Sequence, residues 1–533
     1  MYLFNKHFKN IINHNKKYFK FKNYQTNNQI LVEFNNWGSL HIANSYLLKN
    51  LSEKYNANIL AYAGYSILSA DISRNIYDKI KWLIAKTFSI RFFGVYKSCG
   101  VKDFIFPNIN RDIEDEGDKI FMLLKKKLKN NYDIENIKLK NIWVGDLIYD
   151  SYLKSHLKKT IKLENKSFEL YLKKSIYLFL FWYNYFSKNK IKAVVLSHTV
   201  YSIGLLARIC LKKKIKVYVC QPDYINCLND RLPYARYEFY NANKTLLKVE
   251  KKILDKGLAF SKKRVENHIK GKRIDIWWAP NNPFVGKSKK RLLSKNRKFK
   301  FLIASHSFID SPHAYGKNLF PDNYLWLDFI GKTTQHSQHE YYIKAHPNLY
   351  KIERKMNYEI LNNFVKKYPH IKLLPVNSGH NQLIKEGINC VLTVLGTIGF
   401  EYPLFGIPVV NASLKNATLN FDFNLHVNSV AKYKSLILNP KEIDLKIKKN
   451  EIYRYYFFRH ILISPNWLFE DINYIRTKHN VYNENIYSYW VKKEFKFDKH
   501  NKILESVKKY INSNKYILDY EFLDRNILDD MDN

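Results

Sequence analysis

Cysteine is scarce and scattered in this chain. The five residues, Cys99, Cys210, Cys220, Cys227 and Cys390, form no CxxC pair and no cluster at metal-ligand spacing. That excludes a disulfide scaffold and a cysteine-ligated zinc site; no metal or other cofactor is expected. An odd, dispersed set of thiols fits a reducing cytoplasm. Glycine (17) and proline (14) are sparse as well, which argues against an all-β protein with many tight turns. Long apolar runs are missing. The most lipid-like stretch, Ser175–Phe186 (SIYLFLFWYNYF), falls well short of the ~20 residues that span a bilayer, and it reads as a buried helix. Met1–Phe21 mixes Lys, His, Asn and Phe without the apolar core of a signal peptide.

Acidic residues are the other shortage. The 47 Asp and Glu face 89 Lys and Arg, for a net charge of +42. The lysines are dispersed among Asn, Ile and Tyr, with no arginine-rich tail, zinc-ligand spacing or RNA-binding aromatic signature, so nucleic acid is not an expected partner. An anionic lipid surface is, because each nearby Lys or Arg contributes about 1 kcal/mol there. The expected location is cytoplasmic, peripheral at the inner face of the cytoplasmic membrane. No feature sets an oligomeric state.

What the chain has is apolar material in alternating units. With 533 residues, 46% hydrophobic and 16% aromatic, it is too long for one core and calls for two or more domains. Gln29–Phe34 (QILVEF) reads as a strand, Leu40–Tyr55 as a helix and Asn58–Ala63 (NILAYA) as a second strand, which makes a βαβ unit. The region Tyr65–Lys190 reads mainly helical and contains the turn candidate GDLIYD within Ile142–Asp150. Ile191–Leu196, a Ser197-His198-Thr199 turn, a helix over Val200–Leu211 and Lys216–Gln221 repeat the βαβ pattern and should extend the first sheet. A turn-rich segment, Trp277–Pro283, and a charged run, Lys287–Lys300, mark a boundary. After it strands at Phe299–Ala304, Tyr341–Ala345, Ile371–Leu374, Cys390–Val394 and Ile407–Asn411 alternate with helices at Asp322–Thr334, Leu349–Lys367, Asn381–Glu386 and Thr397–Phe405. Such alternation predicts a doubly wound parallel sheet. The expected domains are residues 1–280, Rossmann-like with helical insertions; 281–450, Rossmann-like; and 451–533, a helical segment packing back on the first domain.

Three polar turns fall at strand ends of the second domain, where open α/β sheets bind ligands. Ser305 and His306 follow the first strand. In Lys344-Ala345-His346-Pro347 the proline forces the chain out of the sheet and holds His346 at its edge. In Thr393-Val394-Leu395-Gly396-Thr397 a strand ends in a small turn and a helix begins. Gly396 permits close backbone approach, Thr397 can cap the helix, and the free N–H groups there suit a phosphate. Glu401, one turn on, is placed to accept from ribose hydroxyls or to stand in solvent. Together the turns predict a nucleotide crevice. Asp115-Glu116-Gly117 sits in RDIEDEGDKIFMLL, which reads as an amphipathic helix rather than a binding loop.

KAHP followed by TVLGTIGFEYPLFGIPVV resembles the C-terminal domain of bacterial capsule and surface-carbohydrate biosynthesis proteins. These are similar to Kdo transferases and bacterial sialyltransferases of GT-B architecture. The resemblance is loose over Ile142–Asn420 and close over Phe299–Asn411. It implies two Rossmann-like domains facing a cleft, and a metal-independent glycosyltransferase. Such an enzyme moves a sugar from a nucleotide-activated donor, a CMP-sugar by preference, to a glycan or lipid-linked acceptor. His346 and Thr397 would hold the donor phosphate, with Thr393 beside them. The family's paired Ser-Ser or Ser-Thr is here Gly396-Thr397, which leaves the nucleotide open. The catalytic base is expected from the first domain, with Glu33, Asp146 and His198 as candidates. A teichoic-acid-type polyol-phosphate transferase and a non-catalytic GT-B-like subunit of a polysaccharide assembly complex are the alternatives.

Overall fold

The computed structural model describes residues 5–63, 76–272, 282–286, 288, 290–347, 351–463, 465–472, 475–476 and 482–532. Residues 277–281 of the expected boundary turn at 277–283, the start of the helix expected from 349, and residues 65–75 of the middle region lie outside the described residues. The chain divides into two compact units. The first comprises Met1–Ser151, Leu163–Glu238 and Leu462–Asn526; the second comprises Tyr152–Lys162, Phe239–Ile461 and Ile527–Asn533.

In the first unit β1 (Asn28–Phe34) runs into a helix, Gly38–Tyr55, and then β2 (Asn58–Ala63). The helix stops at Asn56, whose left-handed backbone (φ 44°) ends it as a C-terminal cap. β3 (Val101–Ile105) follows, and a small antiparallel pair, β4 (Lys138–Leu139) and β5 (Ile142–Trp143), stands apart from the main sheet. β6 (Lys190–Leu196), β7 (Lys216–Cys220) and β8 (Ile225–Leu228) complete a sheet of order β3-β2-β1-β6-β7-β8. It is parallel except where β8 pairs antiparallel with β7. As expected, the second βαβ repeat extends the first sheet, through β1 and β6.

The apolar stretch Ser175–Phe186 lies in the helix Lys166–Lys188, with Ile176, Leu178, Phe179, Leu180 and Trp182 buried. It is a core element and not an interfacial one. Asp115-Glu116-Gly117 lies inside the helix Arg111–Lys127, where a Cβ on Gly117 would stand 2.3 Å from the Tyr177 ring. Glycine there lets two helices touch. The C-terminal helix Phe497–Ser513 packs on Gly38–Tyr55 within the same unit. His500 Nδ1 lies 3.0 Å from Tyr46 Oη, and Lys54 Nζ donates to the Ile511 carbonyl at 2.6 Å.

The second unit is built on β9 (Lys300–Ala304), β10 (Glu340–Lys344), β11 (Ile371–Leu373), β12 (Cys390–Thr393), β13 (Val409–Asn411) and β14 (Leu425–His426). Their order is β11-β10-β9-β12-β13-β14, all parallel. Alternate residues of one strand feed opposite faces. Phe301, Ile303, Tyr341, Ile343 and Leu392 pack on one side, and Leu302, Tyr342, Val391 and Val409 on the other. Each such burial contributes roughly 1.5–3 kcal/mol, and burial on both faces explains why these strands read as continuous apolar runs.

Counted within each six-stranded sheet, the strands follow the order 3-2-1-4-5-6 of a dinucleotide-binding fold. The protein is α/β, with two Rossmann-like domains. The order reverses between β1 and β6 in the first unit and between β9 and β12 in the second. At those points neighbouring crossovers go to opposite faces and leave a crevice beyond the strand ends.

Two local expectations are corrected. GDLIYD is no turn: Gly145–His156 is a helix and Asp146 stands in its first turn. The helix expected over Thr397–Phe405 is α-helical only over Ile398–Glu401 and tightens to a 3₁₀ turn over Tyr402–Phe405. Pro403 has no N–H to bond back four residues, and Gly406 (φ 75°) then ends the segment.

Candidate functional site

A cavity of about 300 Å³ opens at the switch point of the second unit. That is the lower end of the range for small-molecule sites. It gathers the three polar turns read from the sequence: Ser305 and His306 after β9, His346 and Pro347 after β10, and Thr393, Gly396 and Thr397 after β12. Glu401 also lines it, with His268, Lys344 and His380.

The predicted residues divide by what they bond. Buried Ser305 donates its hydroxyl to the Lys344 carbonyl at 3.0 Å, locking the ends of β9 and β10 together. His306 organises the turn after β12. Its Nε2 accepts from the Val394 and Leu395 amides, both at 3.2 Å, and lies 2.9 Å from Thr393 Oγ1. An amide can only donate, so Nε2 carries the lone pair and Nδ1 the proton. Burial, with His346 nearby, pulls the His306 pKa down to about 3, so the ring stays neutral. Thr393 thus commits its hydroxyl to His306. The His346 ring lies 6.5 Å from that of His306.

Gly396 and Thr397 are exposed on the cavity. Thr397 occupies the cap position of the short helix, but its side chain makes no capping bond there. Among the described residues its hydroxyl has no hydrogen-bond partner. The amides of Gly396, Thr397 and Ile398 precede any residue that could accept from them within the helix. Glu401 neither faces solvent nor stands alone: it is 3% exposed, and its Oε1 lies 3.0 Å from His268 Nε2.

Lys344, the last residue of β10, is a site residue that the sequence reading above does not single out. It is 5% exposed and lines the cavity, and among the described residues no group accepts from its ammonium. Burial pulls its pKa from 10.5 down to about 8. A buried cation without a counter-ion is costly, and here it sits where an anion would neutralise it. The signal was present in the sequence, since YYIKA places one lysine in an apolar strand next to the turn. His380 is a second omission. It is buried, with Nδ1 2.8 Å from Tyr402 Oη, and burial, Lys344 and His268 hold it well below the ordinary histidine range. His268, on the helix Lys251–Ile269, carried no sequence signal.

The first unit holds the three acid–base candidates. Glu33, at the end of β1, is 3% exposed and accepts from the Ser197 amide at 2.7 Å, bridging β1 and β6 at that unit's switch point. Burial raises its pKa. Asp146 is 1% exposed and paired with Arg208 at 2.5 Å. His198 is half-buried, with Nδ1 3.0 Å from Ser197 Oγ and its ring edge-on to Trp37 at 5.3 Å.

Among the described residues no group of three or more His, Cys, Asp or Glu is placed to hold a metal ion. No family model matches the chain, and no curated protein matches it. Solved structures do. UDP-GlcNAc 2-epimerase from Neisseria meningitidis is 10% identical over 80% of this chain and 97% of its own, at a TM-score of 0.23. MurG of Acinetobacter baumannii is 8% identical over 85% and 98%, at 0.22. UDP-glucose:anthocyanidin 3-O-glucosyltransferase is 12% identical over 88% and 100%, at 0.23. Scores this low carry no inference about activity.

Proposed function

We propose that the second unit binds the phosphate of a nucleotide-activated sugar and that the protein is a glycosyltransferase acting in capsule or related surface-polysaccharide synthesis. The observation that carries this is Lys344, a buried ammonium without a counter-ion among the described residues, at a sheet switch point beside His306, His346 and the Gly396 and Thr397 amides. Preorganised donors of this kind stabilise the charge that grows on a departing phosphate. One ammonium matches one phosphate, so a CMP-sugar is the favoured donor and the scheme calls for no metal. The acceptor hydroxyl attacks the anomeric carbon, the bond from that carbon to the phosphate oxygen breaks, and the hydroxyl proton passes to a base. His198, the half-exposed member of the three candidates, is our choice for that base. Its replacement by Ala should lower turnover without weakening nucleotide binding.

A thermal-shift series with CMP, CDP, UDP and GDP tests the reading, since a ligand that binds the native state raises apparent stability. CMP should give the largest shift, and CMP-sugar should be consumed when acceptor is present. Preference for a CDP-polyol would favour the polyol-phosphate reaction, and no shift with any nucleotide would overturn the proposal.

His346→Ala and Thr397→Val should each weaken CMP binding roughly 10- to 150-fold, the effect of losing about 1.5–3 kcal/mol of charge-assisted hydrogen bonding. Both positions are partly or fully exposed, so the melting temperature should hold. Calorimetry showing wild-type affinity in both variants would remove the phosphate from this site.

Binding should also depend on pH in one direction. Lys344 is protonated below about 8 in the free protein, and a bound phosphate favours that charged form. Affinity for CMP should be level from pH 7 to 8 and fall above it, by up to about tenfold per unit. Titration at pH 8.5 in buffers of different ionisation heat should register proton uptake, and Lys344→Met should abolish it.

A further inference from the structure

The helix Ile76–Thr87 and the residue after it carry an apolar stripe that stands exposed among the described residues. Ile80, Leu83, Ile84 and Phe88 are 51%, 62%, 48% and 71% exposed. Their spacing puts them on one helix face. Single exposed apolar side chains are ordinary, but a contiguous stripe marks a docking surface. The stripe ends at a basic cluster. Lys97 Nζ donates to the Lys86 carbonyl and to Ser89 Oγ at 2.8 and 2.9 Å, tying the end of this helix to Phe92–Ser98. Beside it an open depression of about 420 Å³ is lined by Lys16, Lys20, Lys97 and Lys102. Asp103, the carboxylate next to these lysines, is neutralised by Lys86 at 2.5 Å.

We propose that this face of the first unit docks on an anionic lipid bilayer, with the stripe in the headgroup–acyl boundary and the lysine-lined depression receiving anionic headgroups. An apolar face edged by lysines has the composition of a helix that lies in a membrane interface. Charge complementarity selects that occupant. A second copy of the chain would set these lysines against their own equivalents across a two-fold interface, whereas an anionic surface neutralises them. The inference is independent of the reaction proposed above.

The test uses the full chain and vesicles of phosphatidylcholine alone or mixed with phosphatidylglycerol. The protein should sediment with the mixed vesicles and stay behind with the neutral ones. A triple variant, Leu83→Ser, Ile84→Ser and Phe88→Ser, should lower the partition coefficient roughly tenfold or more at unchanged net charge. Wild type should retain part of its binding in high salt and the triple variant should not, because screening shortens to about 3 Å at 1 M. Lys97→Glu with Lys102→Glu should weaken binding more than Lys262→Glu with Lys263→Glu, an equal charge change on the exposed side of another helix. Equal binding by wild type and the triple variant would overturn the docking face and leave general adsorption of a basic protein. Light scattering that shows a wild-type dimer and a monomeric triple variant would assign the stripe to a second copy instead.

Discussion

A Lys344→Met protein is expected to bind nucleotide at least roughly 30-fold more weakly than wild type and yet to be the more stable of the two. The opposite signs have one cause. A buried ammonium with no partner among the described residues destabilises the empty protein, and its fall from 10.5 to about 8 corresponds to about 3 kcal/mol. Methionine keeps most of the volume and leaves no charge to bury. The same charge is what a phosphate would bond, so its removal deprives the bound state of its strongest contact.

The pH dependence follows in sign. A basic group whose folded pKa is lowered penalises the native state wherever it stays protonated there. The penalty is full below about 8 and is relieved as pH rises from 8 to 10.5, while the unfolded chain still holds its proton. The stability advantage of Lys344→Met should therefore be largest at pH 7 and shrink through that window. Urea titrations of both proteins at pH 7 and 9.5, paired with CMP calorimetry at pH 7, decide the matter. Unchanged nucleotide affinity in the variant would separate Lys344 from the ligand. A variant less stable than wild type would mean that the ammonium is neutralised in the native protein.

Much of this was legible because fully buried parallel strands are simple to read. The inner residues of KFLIA, EYYIK and CVLT are apolar on both faces, and the polar turns after them fall at one edge of a parallel sheet. That logic places His306, His346, Gly396 and Thr397 at one edge, and they line one cavity. It could not say which polar atoms were already engaged. Ser305, Thr393 and Glu401 looked equal to Thr397 in sequence, but their partners come from Lys344, His306 and His268, residues 39, 87 and 133 positions away. Pairing over such distances leaves no local pattern. Lys344 shows the reverse failure: it is one lysine in a chain with 89 Lys and Arg, and only the apolar residues Tyr341–Ile343 before it in the strand set it apart. Composition hid the exposed stripe too, since Ile80, Leu83 and Ile84 have the spacing of a helix that faces a core.

Asp146 poses the sharpest choice between chemistry and architecture, and the structure favours architecture. Its Oδ2 accepts from Arg208 Nη2 at 2.5 Å, and the same guanidinium donates to Tyr234 Oη at 3.2 Å and to the Trp143 carbonyl at 3.3 Å. The Trp143 and Tyr234 rings lie 4.7 and 5.1 Å from the guanidinium carbon. Asp146 stands in the first turn of Gly145–His156 and Arg208 lies within Gly204–Lys212, so the pair joins two helices through residues that both lie inside the first unit. Asp146→Ala would leave the arginine charge buried without its counter-ion, a loss of about 3–5 kcal/mol. Arg208→Met should cost a similar amount by stranding the carboxylate. A double variant, Asp146→Leu with Arg208→Met, should lie closer to wild type than either single change, because an apolar pair of comparable volume removes both desolvation penalties together. Urea unfolding of the four proteins measures the cycle. If Asp146→Ala keeps wild-type stability while sugar transfer is lost, Asp146 belongs to the chemistry and replaces His198 as the base. If the singles unfold early and the double variant recovers both stability and transfer, the pair is a clamp that the reaction never touches.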